Sequence, residues 1–93
     1  MMKITVMLFG SLVDAAGSQK NVEVSASTVS NALAELCSRF GEKFRTQLFD
    51  ENGEVRRSYN FLVNNRNIRF LKQFDTELRD GDKLTILPVI GGG

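Results

Sequence analysis

Ninety-three residues with 42% hydrophobic content suit one small domain with a single core, too small for two cores or for an internal cleft of enzyme size. Twelve Lys and Arg against eleven Asp and Glu leave a net charge of +1, so the field of the whole chain offers no general attraction to nucleic acid or to an anionic membrane. One cysteine and no histidine exclude a disulfide framework, leave no credible zinc site within the chain and point to a reducing, intracellular home. The opening Met1-Met2-Lys3-Ile4 lacks the long apolar core of a signal peptide, and no run approaches the ~20 apolar residues of a membrane span. The expected location is therefore cytoplasmic, away from membranes.

From Lys3 to Phe9 the side chains alternate, Ile4, Val6 and Leu8 against Thr5, Met7 and Phe9, which predicts a core strand. Gly10-Ser11 breaks it, Leu12 to Ala16 suit a short helical turn, and Gly17-Ser18 reverses the chain. Asn21 to Val24 alternates again and is expected to pair antiparallel with the first strand. The main helix follows: Thr28 caps it, Val29, Leu33, Leu36 and Phe40 recur at helical spacing, and Gly41 stops it. Cys37 falls beside that stripe and reads as a small core thiol, with no histidine to activate it.

Beyond the helix, Phe44, Leu48 and Phe49 fit a further helical turn, and Asp50-Glu51-Asn52-Gly53 is a turn signal. Tyr59 to Val63 is β-rich, Asn64-Asn65 punctuates, and Asn67 to Phe70 is expected to add a short edge strand. After the Asp80-Gly81-Asp82 turn, Lys83 to Val89 alternates as a last strand that delivers the terminal Pro88-Val89-Ile90-Gly91-Gly92-Gly93.

Catalysis by the chain itself is hard to build from these residues: there is no His base, no Gly-rich phosphate loop between a strand and a helix, and no carboxylate pair in an apolar setting. Asp80 and Asp82 are turn formers. Arg56, Arg57, Arg66, Arg69 and Lys72 interleave with Tyr59, Phe61 and Phe70 in the manner of a nucleic-acid face, but Glu54, Asp75, Glu77, Asp80 and Asp82 dilute that charge along the sequence. No nucleic-acid partner is expected.

A terminal carboxylate is different, because it can be the substrate of another protein. Extended at ~3.4 Å per residue, Val89 to Gly93 spans about 17 Å, enough to enter a partner's cleft. Without Cβ atoms, Gly91 to Gly93 pass a narrow channel and bring their backbone close to a nucleotide, at an entropic cost. A carboxylate is a poor electrophile until activated, so the expected step is adenylation by ATP bound to a partner, followed by attack of a sulfur or nitrogen nucleophile.

Phe9-Gly10-Ser11-Leu12 with Ala16-Gly17, Phe49 to Glu54, Phe61-Leu62-Val63-Asn64, Asp75-Thr76, Leu78-Arg79-Asp80-Gly81-Asp82 and the terminal Pro88 to Gly93 together resemble the MoaD/ThiS family of ubiquitin-like sulfur carriers. The resemblance covers nearly the whole chain and is most like MoaD, the small subunit of molybdopterin synthase. It implies an α+β, ubiquitin-like β-grasp with a mixed sheet packed on one main helix over residues 1–88, its last strand beside its first, and a flexible tail at 89–93. It implies that Gly93 is adenylated and converted to a thiocarboxylate that donates sulfur in molybdenum cofactor synthesis, with Gly91 and Gly92 threading the partner's active site. The implied partners are an adenylating enzyme of the MoeB/ThiF kind, which uses the ATP, and a MoaE-like large synthase subunit. This chain would be a non-catalytic cosubstrate that binds no cofactor or metal. The rival implication is a ubiquitin-related covalent modifier, or a carrier for thiamine synthesis or tRNA thiolation.

Three departures from the family stand out: Val89 follows Pro88 where many relatives have a second proline, Gly91 replaces a small side chain, and Phe40 to Arg57 is longer than in thiamine-pathway carriers. If Ile4, Val6, Leu8, Leu62, Leu84 and Ile86 face the helix, alternation puts Phe9, Phe61 and Leu87 on the outer face of the sheet. Those three are the expected partner-binding patch.

Overall fold

The computed structural model describes residues 2–89. Strand β1 (Met2–Leu8) buries Ile4, Val6 and Leu8 on one face, and β2 (Asn21–Ala26) buries Val22, Val24 and Ala26 on the same face. The two run antiparallel, with Ile4 opposite Val24 and Val6 opposite Val22. Strand β5 (Lys83–Pro88) lies on the other side of β1 and parallel to it, pairing Val6 with Leu84 and Leu8 with Ile86. Strand β3 (Tyr59–Val63) closes antiparallel on β5, and the two-residue β4 (Arg66–Asn67) forms the edge. The order β2-β1-β5-β3-β4 makes the mixed α+β sheet expected of a β-grasp, with the last strand at its centre.

Helix α2 (Val29–Phe40) covers this sheet because Val29, Ala32, Leu33 and Leu36 recur on one stripe and are all buried. Its start is satisfied by Thr28, whose Oγ1 accepts the Asn31 amide at 3.1 Å. Gly41 ends it at φ 81°, donating its amide to the Cys37 carbonyl, and the same residue opens α3 (Glu42–Leu48). Phe44 and Leu48, four residues apart, carry α3 into the core, and the Phe40 and Phe44 rings lie 5.6 Å apart across the junction. The short α1 (Ser11–Ala15) sits against α3 and buries Leu12 and Ala15. Among the described residues no helix is long and apolar enough to cross a membrane.

Two expectations are corrected here. Only Arg66 and Asn67 pair as an edge strand, opposite Val63 and Leu62, whereas Ile68–Phe70 coils into a 3-10 turn. The cause is local: the Asn67 side chain accepts the Arg69 amide at 3.0 Å, offering the backbone a cap in place of a ladder bond. The hairpin before it needs both Asn64 and Asn65 at positive φ (50° and 72°), a demand asparagine meets better than most residues.

Phe61 is the second correction. It pairs directly with Ile86, and Val63 with Leu84, so both share the core face; Phe61 is 4% exposed and meets Phe74 edge-on at 5.3 Å. Leu62, opposite Thr85, takes the outer face instead. Both parities of β3 contain apolar residues, so the pairing register decides between them. A signal was nonetheless present: Tyr59, Phe61 and Val63 are uniformly apolar or aromatic, while Leu62 shares its parity with Asn60 and Asn64.

Candidate functional site

Gly91, Gly92 and Gly93, the predicted reacting end, lie outside the described residues, but their point of departure is defined. Strand β5 is flanked by β1 and β3, and its last partner pair is Pro88 with Tyr59. Val89 then donates its amide to the Ser58 carbonyl at 2.7 Å, so the chain is held to the sheet up to the residue before Ile90. On the opposite flank, Gly10 turns at φ 64°, and a Cβ there would stand 3.6 Å from Pro88 Cγ. The tail base is therefore set between the end of β1 and the start of β3.

The other end of β5 is fixed by the Leu78-Arg79-Asp80-Gly81-Asp82 segment. Asp80 Oδ1 accepts the Lys3 amide at 2.7 Å. Asp82 accepts the Arg79 amide at 2.8 Å and the Asn64 side-chain amide at 2.9 Å, while Asn64 Oδ1 accepts the Lys83 amide at 3.0 Å. Gly81, at φ 88°, donates its amide to the Lys3 carbonyl. These bonds join the starts of β1 and β5 to the β3–β4 hairpin. The two aspartates thus do the turn-forming work expected of them, and they set the register that carries β5 to the tail.

Cys37 sits half-buried beside the core. Burial pushes its thiol pKa up, a rise that nearby Arg45 opposes and Glu42 supports. A raised pKa keeps the sulfur protonated and weakly nucleophilic near neutral pH.

The outer face of the sheet carries Thr5 and Met7 of β1, Thr85 and Leu87 of β5, and Asn60 and Leu62 of β3. Met7, Leu62 and Leu87 are each half-exposed, and Phe9, the first residue past β1, is 39% exposed. Of the three residues predicted for a partner-binding patch, Phe9 and Leu87 are accessible and Phe61 is not. Met7 and Leu62, which the sequence reading passed over, stand in the row where Phe61 was expected.

A second surface feature gathers several of the basic and aromatic residues that interleave between Arg56 and Lys72. An open groove of about 840 Å³ lies between the segment Val55 to Arg57 and the 3-10 turns Ile68–Phe70 and Gln73–Asp75. Its lining mixes Tyr59, Phe61, Ile68 and Phe74 with Arg56, Arg57, Arg69 and the amides of Asn60, Asn67 and Gln73, and Val89 borders it.

With this geometry in place, comparison with known proteins is specific. A model of the ThiS family matches residues 6–93. The sulfur carrier protein CysO of Mycobacterium tuberculosis is 32% identical over 94 residues, covering 99% of this chain and 100% of its own. The solution structure of small archaeal modifier protein 1 (SAMP1) from Methanosarcina acetivorans superposes with a TM-score of 0.85 at 33% identity, covering 100% of this chain and 98% of that one. A chain of the Amycolatopsis orientalis BexX/CysO complex superposes with a TM-score of 0.82 at 33% identity, covering 97% and 99%.

Proposed function

Because this chain belongs to the ThiS family, we propose that it is a sulfur carrier whose terminal Gly93 is the reacting group. In the proposed reaction a carboxylate oxygen of Gly93 attacks the α-phosphorus of ATP held by an adenylating partner, and pyrophosphate leaves. Hydrosulfide then attacks the acyl carbon and displaces AMP, and loss of the sulfur-bound proton to water yields the thiocarboxylate. The chain supplies the electrophile and no acid or base, so it acts as a cosubstrate. The observation that carries this reading is the central β5: hydrogen-bonded on both sides and clamped at its start, it brings Val89 to the end of the sheet immediately before Ile90-Gly91-Gly92-Gly93.

The outer-face row of Met7, Leu62 and Leu87, with Phe9, is proposed as the surface on which the adenylating enzyme and the sulfur acceptor's enzyme dock in turn. Large half-exposed apolar side chains on one sheet face suit a reusable anchor for partners that must each take the tail.

The finer assignment, delivery of sulfur to a molybdopterin precursor as the small subunit of a synthase, draws its support from the MoaD-like motifs of the sequence. The most specific of these, Leu78 to Asp82, is a fold device here, so it identifies the family without choosing the acceptor. Incubation with a cognate adenylating enzyme, ATP and a sulfur source is expected to replace one C-terminal oxygen by sulfur, seen by mass spectrometry of the terminal fragment. Adding the large synthase subunit and precursor then returns the carboxylate form if molybdopterin synthesis is the pathway; persistence of the thiocarboxylate redirects the assignment to thiamine, tRNA or another acceptor. Modification elsewhere in the chain, or none, overturns the carrier reading.

A second reading, covalent modification of target lysines by the same activated Gly93, is favoured by the full-length likeness to SAMP1. Immunoblots of host lysate showing ladders of higher-mass conjugates that vanish when Gly92 and Gly93 are deleted would establish it.

A further inference from the structure

We propose that the arginine-lined groove beside the tail base binds an acidic segment, carrying one apolar anchor residue, of the adenylating enzyme that receives the tail. The proposal rests on the carrier reading for the identity of that protein. Its physical basis is a basic stretch, free of carboxylates from Val55 to Phe74, that folding gathers in part onto one groove. Arg56, Arg57 and Arg69 all line the groove, whereas none of Glu54, Asp75, Glu77, Asp80 and Asp82, which surround them in sequence, does. In a chain of net charge +1 this makes one concave surface locally cationic.

The arginines are available. Among the described residues, the ion pair within 4.0 Å joins Arg45 to Glu42, on α3, and involves none of the three. Arg56 is steadied by donating its Nε–H to the Thr46 carbonyl at 3.2 Å, and Arg57 and Arg69 are exposed. Guanidinium groups bind carboxylates bidentately, which gives such a rim selectivity as well as attraction. In the same groove, half-exposed Tyr59 and Phe74 offer apolar surface for one anchor side chain. A groove of about 840 Å³ falls in the range of ~300–1,000 Å³ that holds a drug-sized ligand, hence a short peptide stretch.

Two features favour an acidic protein segment over nucleic acid. Three arginines are too few for the phosphate-tracking contacts on which such affinity depends. Position supplies the second: Val89 borders the groove, so a protein that draws residues 90–93 into its active site comes to rest over or beside it.

The test uses the full chain with its cognate adenylating enzyme in an ATP–pyrophosphate exchange assay. The variant Arg57→Glu/Arg69→Glu is expected to raise the KM for the carrier roughly ten-fold or more at low salt, with kcat unchanged and the difference shrinking at high salt. Arg57→Lys/Arg69→Lys should keep most of the affinity, and both variants should melt like the parent chain, since the altered side chains are exposed. An unchanged KM for the charge-reversed variant overturns the groove proposal while leaving the carrier reading intact; absence of exchange with the parent chain overturns the carrier reading itself. Direct specificity comes from titrating the 15N-labelled chain with the peptide Asp-Asp-Leu-Glu-Asp, with Lys-Lys-Leu-Lys-Lys and with a uridine decanucleotide. Shifts at Arg57, Arg69 and Phe74 with the acidic peptide alone are expected. Equal or stronger response to the RNA, or no response to the acidic peptide, counts against the proposal.

Discussion

The two faces of the β1, β5 and β3 strands carry similar apolar side chains and do opposite things with them. On the inner face, Val6, Leu84 and Val63 form one row and Leu8, Ile86 and Phe61 the next, all buried against the helices. On the outer face, Met7, Thr85 and Leu62 form a row with Leu87 and Phe9 near it, and every one of these keeps part of its surface exposed. The faces differ by a single residue of register. What separates a core from a docking surface in this sheet is thus the pairing, and the pairing is held by the bonds of Asp80, Asp82 and Asn64 at its far end.

The contrast is most easily broken at adjacent positions of β3. Phe61→Ala removes a ring packed in the core and is expected to destabilise the domain by about 3 to 5 kcal/mol, read by urea denaturation. Its neighbour Leu62→Ala, and Leu87→Ala on β5, should change stability by less than about 1 kcal/mol yet weaken binding of the adenylating enzyme by roughly 1 to 3 kcal/mol in titration calorimetry. If Leu62→Ala lowers the melting temperature as much as Phe61→Ala does, the outer face is a second core and the docking assignment fails.

The register clamp predicts a smaller loss. Asp82→Ala frees the Arg79 amide and the Asn64 side chain together, and about 1 to 2 kcal/mol of stability should go with them, or several degrees of melting temperature. Asp82→Asn can replace part of this acceptance and should fall between the two.

Smallest of all is the exposed pair on α3. Hydrogen bonding to Arg45 holds the Glu42 carboxyl below its ordinary range. A carboxylate depressed in the folded state adds stability above its unfolded pKa and loses it as pH falls through its folded value. Because the pair lies in water, Glu42→Gln should leave the melting temperature at neutral pH almost unchanged, and the difference between the two chains should close on acidification through that window.

Much of this fold was legible in the chain because the relevant signals are local. Thr28 and Gly41 bracket α2 by hydrogen bonds reaching no more than four residues, and Val29, Leu33 and Leu36 mark its buried stripe by spacing alone. Alternation assigned the faces of β1 and β5 correctly for the same reason. It misassigned β3, where the decisive fact was that Phe61 stands opposite Ile86, 25 residues on in the chain and visible only once the strands pair. The edge strand beyond Asn67 failed differently: its composition suited a strand, but one asparagine side chain captured the backbone first.

By itself, then, the sequence determined the main helix, the four longer strands, the family and the glycine tail, since these depend on periodicity, caps and short motifs that neighbouring residues read directly. Tertiary structure decided which apolar residues became core and which stayed accessible, because cross-strand register is a contact between distant segments. It also decided where the charge went. The stretch from Val55 to Phe74 holds five basic residues and no carboxylate, so the basic block is already set apart in the sequence, but only folding brings Arg56 and Arg57 at one end of it and Arg69 near the other to a single groove, and electrostatic attraction acts through that spatial proximity rather than through distance along the chain.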